Sequence, residues 1–233
     1  MSYYNIKESR GTNGCLISHL LREENNVYIA LSPNVSGNDI LHKIAQQPQI
    51  RLLLDVGALI LNLSNEQVAT EWLKIDNIKG KNAEAAVYFD ENDLKVIDTK
   101  GATSFFESSP YKQQLDQCLI YLDDTHTRGT DLKIPKGTVG AVTLGKGVTK
   151  DRLMQACMRM RMLGDGHAVN FYASNEIDCA IREKCSDKKV GSLQVIEWAI
   201  QNSQTQISEG FLYWAIQGKS CSHTTAETPR LIQ

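Results

Sequence analysis

Cys118-Leu119-Ile120-Tyr121-Leu122, running directly into Asp123-Asp124-Thr125-His126-Thr127-Arg128-Gly129-Thr130-Asp131-Leu132, decides the fold. Five consecutive apolar residues leave no polar face, which is the composition of a strand covered on both sides, and helices cover both sides of parallel sheets. Upstream, Ser108-Ser109-Pro110 predicts a helix start with Pro110 at the first helical position, running to about Gln117. Downstream, Gly140 to Leu144 reads as another short apolar strand, Thr149 to Leu163 as a helix and Ala168 to Ala173 as a strand. Strand, helix, strand, loop, strand, helix, strand is the order of a mostly parallel α/β sheet.

Further out, Ala85 to Phe89 and Leu94 to Asp98 read as strands joined by the polar turn 90–93. Leu52 to Leu61 is a buried apolar element containing Asp55. Ser64 then predicts a helix N-cap, with Gln67 as its capping-box partner and the helix running through Trp72. The expected division is an irregular segment over residues 1–50, an α/β lobe over 51–175, a helical appendage over 176–220 anchored by Trp198 and Trp214, and a disordered tail over 221–233.

Composition narrows the function. The 233 residues carry 22% charged and 42% hydrophobic side chains, ordinary for one folded lobe. A net charge of -2 gives no basic field, so charge does not indicate nucleic acid or a membrane surface. Six cysteines stand at irregular spacings with no C-x-x-C pair, which argues against a zinc site and against a disulfide framework. Met1 is followed by a polar run rather than a secretory leader, and the apolar run 52–61 is half the length of a membrane helix. The expectation is an interior piece of a larger intracellular protein, cytoplasmic or nuclear, with no metal of its own.

Two segments carry candidate chemistry. In open α/β sheets ligands sit off the carboxyl ends of strands, so the loop 123–132 is placed to meet a phosphate. There Arg128 supplies a planar fork of donors, Gly129 lets backbone approach, and Asp131 orients the loop or a water. A surface loop rich in helix-capping residues explains the same composition. In the second segment, Gln155 and Arg159 lie four apart, on one face of the expected helix, with Arg161 beyond. An amphipathic helix with solvated arginines explains that too. Gly140 to Gly147 is one residue short of a P-loop, with Gly147 where the magnesium-binding hydroxyl belongs, and its first half reads as a strand.

Taken together, Thr127-Arg128-Gly129-Thr130-Asp131 resembles the fifth motif of the C-terminal lobe of superfamily-two helicases and of the SecA translocation ATPase. Gln155 with Arg159 is similar to the glutamine and first finger arginine of their sixth motif, with Met158 and Met160 in place of its glycines and Arg161 one place early. The resemblance implies a RecA-like lobe, a mostly parallel sheet flanked by helices with a helical C-terminal appendage. It makes Arg128, Gly129, Thr130 and Asp131 the nucleotide loop and Gln155, Arg159 and Arg161 finger-type residues. ATP and magnesium would then be held only together with an N-terminal RecA-like lobe, and no cofactor by this chain alone.

A second resemblance covers residues from about 55 to 218. Val56-Gly57-Ala58-Leu59, Asn65 to Ala69, Trp72-Leu73, Tyr121 to Asp123, His126 to Leu132 and Leu153 to Gly164 are similar to a family of very large eukaryotic proteins, common in fungi. Trp214 to Gly218 fits it too. That family is labelled as ubiquitinyl hydrolases, thiol-dependent enzymes cleaving bonds to the ubiquitin C-terminus, so the resemblance implies ubiquitin as a partner. Such chemistry requires a cysteine and a histidine within hydrogen-bond reach. Cys118 and His126 are the one pair within a matching segment, and about 26 Å of extended chain would separate them unless the chain turns back after Leu122.

Overall fold

The computed structural model describes residues 12–81, 83–127, 132–185 and 189–226. Its strands are β1 (Val27–Ala30), β2 (Ile50–Asp55), β3 (Ala85–Asp90), β4 (Asp93–Asp98), β5 (Thr103–Phe105), β6 (Cys118–Asp123), β7 (Val139–Leu144) and β8 (Ala168–Ala173). They form one sheet in the order β1-β8-β7-β2-β6-β3-β4-β5. From β1 to β3 every neighbouring pair is parallel, and β4 and β5 add an antiparallel edge. The fold is therefore α/β with a mostly parallel sheet flanked by helices.

Side-chain alternation along β6 shows why its apolar run was needed. Cys118, Ile120 and Leu122 enter one core, and Leu119 and Tyr121 enter the other. The first core is roofed by helices α1 (Thr12–Leu20), α4 (Lys150–Cys157), α5 (Asn175–Lys184) and α6 (Ser192–Ala226), through Leu20, Leu153, Ile181 and Trp198 among others. The second is roofed by α2 (Gly37–Ile44) and α3 (Asn65–Ile78), through Leu41, Ile44, Val68 and Trp72. Helix α3 starts with the expected capping box. The Ser64 hydroxyl accepts from the Gln67 amide at 3.2 Å, and the Gln67 side chain accepts from the Ser64 amide at 2.9 Å.

Several boundaries differ from expectation. Residues within 1–50 supply helices α1 and α2 and the edge strand β1, whose Val27 to Ala30 pair with Asn170 to Ala173 of β8. The helix expected over 110–117 is instead two single 3-10 turns, Pro110–Lys112 and Leu115–Gln117, because Leu115 must turn inward to the core. Helix α4 stops at Cys157 rather than continuing to Leu163. The chain tightens there into turns closed by Arg159 N to Ala156 O and Met160 N to Cys157 O, which tuck Met160 and Leu163 into the core before β8. The last helix runs on to Ala226, into the stretch expected to be disordered. Trp198 is buried as expected, while the side chain of Trp214 and residues 227–233 lie outside those described.

Candidate functional site

Chain direction over the sheet locates the site. From β2 the chain crosses by α3 to β3 on one side, and from β7 it crosses by α4 to β8 on the other. Strands β2 and β7 are neighbours, so their carboxyl ends form the topological switch point, where open α/β sheets bind ligands. Two glycines make that point possible. A Cβ on Gly57 would lie 2.3 Å from Gly145 N, and one on Gly145 would lie 2.1 Å from Gly57 O, so the two loops touch backbone to backbone.

Asp55 organises the loop beyond β2. Its carboxyl, 2% exposed, accepts from the Thr143 hydroxyl at 2.6 Å, the Leu59 amide at 3.0 Å and the Ile60 amide at 3.2 Å. Thr143 in turn accepts from the Gly57 amide at 3.0 Å, which ties β7 to the same loop. Burial outweighs these donors and pushes the Asp55 carboxyl above its ordinary range.

The loop leaving β6 is pinned from its first residues. Asp123 accepts from His126 Nδ1 at 2.6 Å and from the His126 amide at 2.9 Å. With a carboxylate as acceptor, Nδ1 carries the proton. Asn65, the first residue of α3, donates to Asp123 Oδ2 and to Phe89 O, each at 2.9 Å. The His126 ring stacks on Phe89 with centroids 4.0 Å apart and planes 3° from parallel. One residue on, Asp124 forms an ion pair with Arg152 of α4, whose other terminal nitrogen donates to Gly147 O at 3.3 Å. The carboxyl edge thus knits β2, β6, β7 and the starts of α3 and α4 into one polar layer.

Beside this layer opens a cleft of about 570 Å³, within the range of small-molecule sites. Gly57, Ala58, Leu59, Lys146, Ser174 and Asn34 are among its lining residues. Asn34 and Ala58 both hold a positive φ, 58° and 47°, a conformation asparagine tolerates and alanine adopts at a cost of about 1 kcal/mol. Ser174, at the N-cap of α5, makes no side-chain capping bond to the helix and lines the cleft.

The residues expected from sequence are distributed unevenly. Arg128, Gly129, Thr130 and Asp131 lie outside the described residues, though the loop enters them from the pinned Asp123–Thr127 turn. Gln155 sits exposed on α4. Arg159 is half-buried and Arg161 exposed, both in the turns beyond the helix, so the shared helical face expected for Gln155 and Arg159 ends before Arg159. The Gly140 to Gly147 lookalike is β7 and the turn after it, not a phosphate-cradling loop. Cys118 begins β6 and His126 lies in the turn beyond its far end, with about 16 Å of strand between Cys118 and Asp123 at 3.3 Å per residue. The chain does turn after Asp123, but not back toward Cys118. Burial pushes the Cys118 and Cys157 thiols up to about 12 each. No cluster of three or more metal-ligating side chains occurs among the described residues.

Comparison with family models, with curated proteins and with solved structures finds no match. The carboxyl edge therefore has to be read from its own chemistry. Sequence reading passed over Asp55 as a charge interrupting an apolar run, although a carboxylate ending a buried strand is itself a signal of the sheet's polar edge. The Thr143 and Arg152 contacts join residues 88 and 28 positions from their partners and left no local signature.

Proposed function

We propose that this chain is a nucleotide-cleft lobe, the second RecA-like lobe of an NTP-driven remodeller, which meets a triphosphate bound by a partner lobe. The observation that supports the reading is the Asp123–His126 turn at the carboxyl end of β6, one strand from the switch point, which Asn65 and Phe89 pin just ahead of the segment Arg128 to Asp131 in the sequence. The chain's own part is to offer donors. Arg128 and Arg159 would stabilise charge spread over the phosphoryl oxygens, Asp131 would orient the loop, and Gln155 and Arg161 would line the face toward the partner lobe. With β7 occupying the P-loop-like run, this lobe has no phosphate cradle from that motif, so ATP and magnesium would be held by the partner lobe.

From the resemblance to ubiquitinyl hydrolases we propose that this lobe belongs to a larger thiol-dependent enzyme whose nucleophile is not Cys118, since the length of β6 separates that residue from His126. The deciding experiment is ATP turnover by the full-length protein with Arg159→Ala and, separately, Arg128→Ala. Loss of turnover by 10³-fold or more with an unchanged unfolding midpoint is expected for a finger arginine, and turnover equal to the parent's in both variants refutes the reading. A ubiquitin C-terminal thiol probe run alongside should leave this chain unlabelled.

A further inference from the structure

Helix α6 outruns the lobe that it packs on. It begins at the amino edge of the sheet, where the Ser192 amide donates to Asn26 Oδ1 at 3.0 Å just ahead of β1. Val195, Ile196, Trp198 and Ala199 then cross the first core. The helix reaches the carboxyl edge at its next turn: Asn202 donates to Val148 O, and the Ser203 hydroxyl accepts from the Lys150 amide, each at 2.9 Å. From there it continues to Ala226, and residues 204–226 add about 34 Å of helix at 1.5 Å per residue.

The extension starts out bare. Gln204 to Glu209 are all exposed, and Ile207 and Phe211, four apart on one face, are 68% and 70% exposed. The sequence then reads Phe211-Leu212-Tyr213-Trp214-Ala215-Ile216, six apolar residues that leave a helix no polar face. A helix apolar all round belongs inside a larger core. Glu209 and Lys219 are the charged residues of 204–226, one of each sign, so this stretch offers no basic face to nucleic acid or to an anionic membrane surface.

We propose that residues 204–216 are a docking arm that seats in an apolar groove of the partner lobe, the lobe that binds the triphosphate in the function proposed above. The identity of the partner rests on that reading. Two observations choose this occupant. The arm leaves past the carboxyl ends of the strands, the edge that carries the Asp123–His126 turn, and so extends on the side where the partner lobe must sit. A segment apolar on every face also requires a groove, whereas the matching helix of a second copy would cover one stripe of it.

Photo-cross-linking in the full-length protein tests the assignment, with p-benzoylphenylalanine placed at Phe211 or, as a control, at Glu209 on the far side of the helix. Position 211 should link to peptides of the partner lobe and position 209 should not. Ile207→Asp, at an exposed position that the fold of this lobe does not use, should abolish the link from position 211. Links that join two copies of the chain, or that lead to any segment other than the partner lobe, overturn the proposal. Absence of links, or a link that survives Ile207→Asp, overturns it as well. Links to the partner lobe combined with ATP turnover indifferent to Arg128→Ala and Arg159→Ala would sink the nucleotide reading and leave the arm standing.

Discussion

The two edges of the sheet solve the same problem in opposite ways. At the carboxyl edge three carboxylates are met by donors from their own loops and from other segments: Asp55 by the 59–60 amides and Thr143, Asp123 by His126 and Asn65, Asp124 by Arg152. At the amino edge Arg51 is buried at its tip and left with an unmet donor. Carboxylates bonded from several segments shape the loops above them. The carboxyl edge is the one whose side chains position the loops.

The largest expected effect lies at the amino edge. Cys118 lines a small pocket there with Arg51, and burial raises its thiol from 9.0 to about 12, as it does for Cys157 in the core. Below pH 9 the thiolate fraction of either should fall about a thousandfold relative to an ordinary cysteine. Iodoacetamide at pH 8 followed by peptide mapping should therefore modify the exposed Cys15 and Cys179 while sparing Cys118 and Cys157 in the folded protein. Rapid modification of Cys118 would show that the amino edge opens and would revive it as a nucleophile.

At the carboxyl edge the steepest test is Gly145→Ala. Its Cβ would meet backbone at 2.1 Å, where nothing flexible can yield, so the switch point must spread and about 3 kcal/mol of stability should be lost. Gly147→Ala, two residues on, meets nothing within 4 Å and should cost about 1 kcal/mol, for its φ of +80° alone. Urea unfolding of the pair separates close approach from backbone conformation, and equal losses would mean that the Gly57–Gly145 contact does not hold in solution.

Asp55→Ala comes next. It strands two amides and a hydroxyl and should cost about 2–3 kcal/mol. The pH dependence has a definite sign. The folded protein holds the Asp55 proton more tightly than the unfolded chain, because burial raises that carboxyl above 3.8. Its contribution is therefore fully present below pH 3.8 and lost as pH rises through the higher folded value. Asp55→Asn should remove that slope from the unfolding free energy measured between pH 3.5 and 7, and an unchanged slope would transfer it to another group.

These tests also mark how far sequence alone reaches. The apolar runs of β6, β7 and β8 and the Ser64–Gln67 box were readable because each is a local pattern with one physical solution. Helix α4 was misjudged in length because its end is set by Met160 and Leu163, which reach the core only if the chain leaves the helix, and Met160 packs over Gly140 of β7. The bulge of β2 at Arg51 carried no signal at all, since a bulge is a property of two strands in register. For the site, position and composition pointed to the segment Arg128 to Asp131, which lies outside the described residues, while the contacts of Asp123 with Asn65 and of Asp124 with Arg152 were not legible because the partners come from other helices.

The smallest effect belongs to the Asp124–Arg152 pair, and it sharpens the reading of the carboxyl edge most. Both side chains are about a third exposed, at 28% and 30%, so solvent screens their attraction. Arg152 also leaves its Nε buried without a partner, an opposing cost that vanishes when the guanidinium is removed. A double-mutant cycle of Asp124→Asn and Arg152→Gln should therefore give a coupling of about 0.5–1 kcal/mol, reduced at about 0.5 M salt. A coupling above about 2 kcal/mol that salt leaves unchanged would mean that the pair is effectively desolvated in solution. The loop entering Arg128 would then be clamped to α4 as firmly as Asp55 clamps the loop after β2.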